Sequence, residues 1–156
     1  MLKGRVIYSG TAEGEALVAS HPISFYGGVN PESGEIIERG HELQGESVSG
    51  RILVFPYGKG STVGSYILYR LMKKGLAPAA IINEKCETIV AVGAIISGIP
   101  CVDMVDIAKI RQGSRLRISG ARVWLQKDQL SEFRNRAYIG HSDRKNRRRD
   151  YERVDR

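Results

Sequence analysis

Apolar positions along this chain fall into runs and periods that mark its elements. Ile52-Leu53-Val54-Phe55 and, after Pro78, Ala79-Ala80-Ile81-Ile82 are continuous apolar runs of the kind found in strands covered on both faces. Between them Val63, Tyr66, Ile67 and Leu71 recur at helical spacing. This predicts a helix over 62–74, with Lys73 and Lys74 at its negative end and Gly75 as its stop. A second helix is predicted over 87–97, ended by Gly98, although Ile89-Val90-Ala91-Val92 alone also reads as strand. Pro100-Cys101-Val102 is a short strand, and 115–119 and 122–126 alternate around Gly120-Ala121 as a closing hairpin. Near the start, 4–9 and 15–19 read as strands of a hairpin turning around 10–14. The stretch 21–45 keeps no period and reads as a long loop, interrupted by Glu35-Ile36-Ile37-Glu38. Many short strands with two helices predict an α/β domain of mixed sheets and a helical layer over 1–128, followed by a polar extension over 129–156.

Composition narrows the classes. A length of 156 residues suits one domain, and no apolar run approaches the ~18 residues of a membrane span. The first eight residues hold too short an apolar stretch for a signal peptide, so a cytoplasmic protein is expected. The net charge of +7 gathers toward the end, where residues 143–156 carry seven basic and four acidic side chains. That segment has only Tyr151 as an aromatic and no glycine-aromatic pattern, so it reads as a solvated tail rather than an RNA-binding motif. Cys86 and Cys101 have no ligand spacing and lie among apolar residues, which predicts structural thiols. Two cysteines are too few for an iron-sulfur cluster, so any such cluster belongs mainly to a partner. His21, His41 and His141 are scattered surface histidines, and no metal site is expected in this chain.

The segment Phe55-Pro56-Tyr57-Gly58-Lys59-Gly60-Ser61-Thr62-Val63-Gly64-Ser65 carries the candidate chemistry. A strand enters a glycine-rich turn that delivers Ser61 to a helix start, where unpaired N–H groups favour an anion. A helix cap is the plain structural role for such a serine. The spacing is wrong for a Walker loop, because Gly60 separates Lys59 from Ser61, and wrong for GxGxxG, because Gly64 comes one residue late. It is wrong for a GxSxG elbow as well, because Val63 stands where the second glycine belongs. A serine base for proton abstraction from carbon remains, with Lys59 as a local positive charge or as a solvated turn lysine.

Pro22-Ile23-Ser24-Phe25-Tyr26-Gly27-Gly28-Val29-Asn30-Pro31 and Gly58-Lys59-Gly60-Ser61-Thr62-Val63-Gly64-Ser65-Tyr66 resemble the small-subunit segments of the aconitase X family. Leu76-Ala77-Pro78-Ala79-Ala80-Ile81-Ile82 and Val92-Gly93-Ala94-Ile95-Ile96-Ser97-Gly98-Ile99-Pro100 extend the likeness to about residues 3–125. The resemblance implies a swivelling β/β/α domain that closes over a large catalytic subunit bearing an iron-sulfur cluster, whose iron takes the departing hydroxyl. It implies a hydro-lyase acting on a small phosphorylated hydroxy acid, mevalonate 5-phosphate, in the archaeal route to isoprenoids. Ser61 matches the proton acceptor. Ser24, Gly27, Gly28 and Asn30, with Lys59, Gly60 and Thr62, would enclose substrate from the small-subunit side. In ordinary aconitases the similar loop reads Gly-Ser-Ser-Arg, and Val63 occupies the arginine's place, which leaves the carboxylate contact unassigned. Two other readings compete: dehydration of another hydroxy acid such as a hydroxyproline, and a noncatalytic basic domain that binds RNA or protein through its tail.

Overall fold

A computed structural model describes residues 1–126; the basic extension, with Tyr151 and His141, lies outside them. The described chain runs β1 (Leu2–Lys3), β2 (Arg5–Tyr8), β3 (Thr11–Val18), β4 (Ile23–Ser24), β5 (Ile52–Phe55), β6 (Gly58–Lys59), α1 (Gly64–Lys73), β7 (Ala80–Asn83), α2 (Thr88–Ser97), β8 (Cys101–Asp103), a 3-10 turn (Ile107–Lys109), β9 (Arg115–Ser119) and β10 (Arg122–Leu125). Eight strands hydrogen-bond in the order β1-β10-β9-β3-β5-β7-β8-β2. β3 belongs to two sheets. Its first half lies antiparallel to β9, with Thr11 opposite Ser119, and its end lies parallel to β5, with Ala16 opposite Ile52. β5, β7 and β8 continue in parallel, joined by α1 and α2 as crossovers.

The apolar runs are double-sided, as their sequence predicts. Ile52, Val54, Ala80, Ile82 and Val102 face Leu116, Ile118 and Val123 of the second sheet. Leu53, Phe55, Ile81 and Cys101 face Leu68, Leu71, Val90 and Ala94 of the helices. The result is the predicted mixed-sheet β/β/α stack with one core on each side of the parallel strands. The parallel sheet has no crossover helix between β3 and β5. The 19–51 connection covers that place instead and buries Phe25, Val29, Ile36, Leu43 and Val48 in the helix-side core. The absence of a period in this stretch thus hides a packed layer, held by isolated bridges Val29–Ile36 and Glu35–Ser47. His41 is part of it: one ring nitrogen accepts from Leu43 N at 3.0 Å and the other lies 3.2 Å from Pro22 O.

The predicted N-terminal hairpin does not form. β2 pairs with β8, and β3 starts at Thr11. Gly10 packs against Pro100, where a Cβ would come within 2.7 Å of the ring, and its carbonyl accepts from Gly120 N. The chain therefore crosses between elements at Gly10 instead of doubling back. β1 and β2 are separated only by Gly4, yet they occupy opposite ends of the strand order. Gly4 lies so close under β8 that a Cβ would be 2.2 Å from Asp103 O. On β2, Arg5 makes two bonds, of 2.9 and 2.8 Å, to the fully buried carboxylate of Asp103, which also accepts from Cys86 N. Burial alone would push this carboxyl up; the Arg5 bonds, the Cys86 N–H and the Arg5 charge outweigh it and hold Asp103 below the usual carboxylate range.

Candidate functional site

β6 lies outside the main sheet, parallel to β4, with Ile23 opposite Gly58 and Ser24 opposite Lys59. The turn after it depends on Gly60, whose φ of +90° an L side chain rarely adopts. It also depends on Gly60 lacking a Cβ, because that atom would stand 2.5 Å from Ser24 Oγ. Ser61 follows, exposed. Its carbonyl accepts from Gly64 N at 2.9 Å and its Oγ from Val63 N at 3.2 Å. The helix is regular only from Gly64, with Val63 at its cap position and no side-chain cap bond, so Ser61 caps the turn before α1 rather than α1 itself. The shift has a physical cause: Gly64 packs on Phe25 and Ile89, and the helix begins where that contact fixes it. Among the described residues the N–H groups of Ser61 and Thr62 have no hydrogen-bond partner. An exposed hydroxyl thus stands beside two free donors near the positive end of a helix.

Loop 24–30 is the other wall. Ser24 Oγ donates to Tyr26 O at 3.0 Å, and Gly28 lies against Ser24, where a Cβ would meet Ser24 O at 2.0 Å. Tyr26 N lies 3.6 Å from the place of a Gly64 Cβ, which sets the loop beside the start of α1. Gly27 is exposed at the tip with φ +79°. Asn30 is used differently: its Oδ1 accepts from Glu32 N at 2.9 Å and its carbonyl accepts from Gly34 N, and no hydrogen bond joins it to the Ser61 turn among the described residues. The structure therefore gathers Ser24, Gly28, Lys59, Gly60, Ser61 and Thr62, and leaves Asn30 holding its own turn.

Two residues absent from the sequence-predicted set support this junction. Glu38 Oε1 forms an ion pair with Lys59 Nζ at 2.7 Å. Glu87 accepts from Ile89 N at 2.7 Å and Val90 N at 2.8 Å, capping α2, and the same carboxylate packs on Gly58. For Glu38 the only sequence signal is the Glu-Ile-Ile-Glu island in an otherwise aperiodic loop. The signal for Glu87 was its place before an apolar helix.

The aconitase X swivel domain family matches residues 1–126, the whole described part of the chain. The chain belongs to the aconitase X family. Its relatives include the phosphomevalonate dehydratase small subunit of Pyrococcus furiosus, 55% identical over 78% of this chain and 90% of that protein. The protein of the same description from Methanosarcina acetivorans is 51% identical over 80% of this chain and 89% of its own length. Among solved structures, the holo-form of Thermococcus kodakaraensis aconitase X superposes with a TM-score of 0.79, at 51% identity over 81% of this chain and 98% of that one. A UPF0107 protein solved by NMR in solution superposes at 0.74, with 50% identity over 80% and 98%.

As a member of aconitase X, the chain invites a test for iron-sulfur ligation, and its own residues do not fit. No group of three or more His, Cys, Asp or Glu among the described residues is placed to hold a metal ion. Cys101 is buried, and the neighbouring Cys86 thiol together with burial pushes its own thiol up. No helix among the described residues is long and apolar enough to cross a membrane.

Proposed function

We propose that this chain is the small subunit of a hydro-lyase that converts (R)-mevalonate 5-phosphate to trans-anhydromevalonate 5-phosphate, working in the cytoplasm together with a larger subunit. The observation that carries this reading is the set of relatives above half identity, each a phosphomevalonate dehydratase small subunit, of which this chain covers about nine-tenths. The larger subunit would supply the iron-sulfur cluster that this chain's cysteines cannot hold.

In this reading Ser61 Oγ takes a proton from the carbon beside the substrate carboxylate. The C–H electron pair forms the double bond as the hydroxyl on the neighbouring carbon leaves, so one molecule of water departs. A serine oxygen is a base only as alkoxide. The free N–H groups of Ser61 and Thr62 and the start of α1 favour negative charge there, and Lys59 faces the anionic end of the substrate. Ser24, Gly28 and Gly60 shape the wall, with Gly27 at the loop tip.

A two-subunit arrangement also accounts for the surface. α2 carries no charged residue, and Val92, Ile95 and Ile96 stand 42–52% exposed. An apolar face of this kind is what a subunit contact covers. The test is reconstitution with the large subunit. Ser61→Ala should lower turnover by at least about 100-fold and leave assembly intact; near-normal turnover would remove Ser61 as the base.

A further inference from the structure

Lys59 is not a free turn lysine. Its ammonium is ion-paired with Glu38, a residue of the 19–51 connection, and the backbone that carries Glu38 is fixed from behind. The N–H groups of Ile37 and Glu38 both donate to Gly28 O, at 2.8 and 3.3 Å. Gly28 in turn rests on Ser24, and Ser24 is the strand partner of Lys59. The path closes on itself: Lys59, Ser24, Gly28, Glu38 and back to Lys59. The Glu38 side chain is only 28% exposed, and its Oε2 is buried with no hydrogen-bond partner among the described residues. A carboxylate oxygen withheld from water costs free energy, and an ordinary surface pair would have no reason to accept it.

We propose that Glu38 is a positioning residue: it holds the Lys59 ammonium beside the Ser61 turn, where Lys59 meets the anionic end of the substrate. The proposal rests on the hydro-lyase reading for the role of Lys59. It competes with a simple electrostatic expectation, since a carboxylate near a bound anion repels it. Positioning and repulsion therefore predict opposite signs when Glu38 is removed.

The two-subunit enzyme carrying Glu38→Ala, Glu38→Gln, Lys59→Met or the Glu38→Ala/Lys59→Met pair decides between them. Two readouts serve: KM and kcat for mevalonate 5-phosphate, and the Kd of inorganic phosphate by calorimetry. Glu38→Ala should raise KM and Kd about tenfold and change kcat much less, as expected for loss of one charge-assisted contact. Glu38→Gln should recover part of the loss, because its amide oxygen keeps a partial negative charge against Nζ. The double variant should be no worse than Lys59→Met alone. Unchanged or lower KM and Kd in Glu38→Ala, with both raised in Lys59→Met, overturns the proposal and leaves the anion role of Lys59 standing. No effect of Lys59→Met overturns both. A wild-type complex inert toward mevalonate 5-phosphate, with the phosphate series keeping its pattern, removes the substrate assignment and supports the Glu38 role.

Discussion

Gly58→Ala tests how the Ser61 turn is held. A Cβ at position 58 would lie 2.5 Å from Glu87 Oε1 and 2.6 Å from Val90 Cγ2. Neither atom can yield cheaply. The carboxylate is held by the Ile89 and Val90 N–H groups of α2, and Val90 is fully buried. Displacing the cap costs about 1–2 kcal/mol and overpacking against Val90 about 1–3 kcal/mol. The sum of ~2–5 kcal/mol corresponds to a Tm lower by about 10 °C in a domain of this size. Calorimetry of the full chain measures it, with Glu87→Ala as the comparison, which removes the cap without a clash and should cost about 1 kcal/mol. In the double variant the Glu87 contact is already gone, so the two costs should fall short of additive. A Gly58→Ala protein melting within about 1 °C of wild type, or a fully additive double variant, would refute the packing argument.

Asp103 should make the fold acid-sensitive. Its folded pKa is held below the unfolded value, so its contribution is complete above about pH 4 and disappears as pH falls through the folded value. Asp103→Asn should cost about 1–2 kcal/mol at pH 7, toward the low end because Arg5 remains largely in water, and urea midpoints of the two proteins should converge below pH 4. A gap constant from pH 7 to pH 3 would count against this. Ile95→Asp places a charge on the outer face of α2 and should leave the melting of the free chain nearly unchanged while weakening co-purification with the large subunit at least tenfold; undiminished assembly would take that face out of the interface.

The sequence was most legible where one physical rule governed a segment. Ile52–Phe55 and residues 80–82 are apolar throughout because both faces are covered, and α2 was placed by Glu87 at one end and Gly98, with φ +66°, at the other. It was least legible where partners lie far away in sequence. Nothing local in Arg5–Tyr8 says that it pairs with β8 rather than with β3, because a four-residue strand satisfies either neighbour. The site divides the same way. Ser61, Gly60 and Thr62 share one turn and could be read together, and Ser24 and Gly28 came only through the family resemblance. Glu38 stayed hidden because its contact with Lys59 is made across the connection between β3 and β5. Asn30 matched the family segment, yet its amide oxygen is engaged with Glu32 N.

The placement of Gly4 has a consequence for how the molecule is made. Leu2 pairs with Val123 and Arg5 with Asp103, so one short N-terminal segment seals two sheet edges at once. During synthesis that segment emerges first and waits for β10, the last strand among the described residues, a long-range closure that belongs to the slow end of folding. Until it docks, β8 and β10 each offer an open edge to neighbouring chains. A clipped or badly fused N-terminus would therefore threaten solubility before it touched the Ser61 turn.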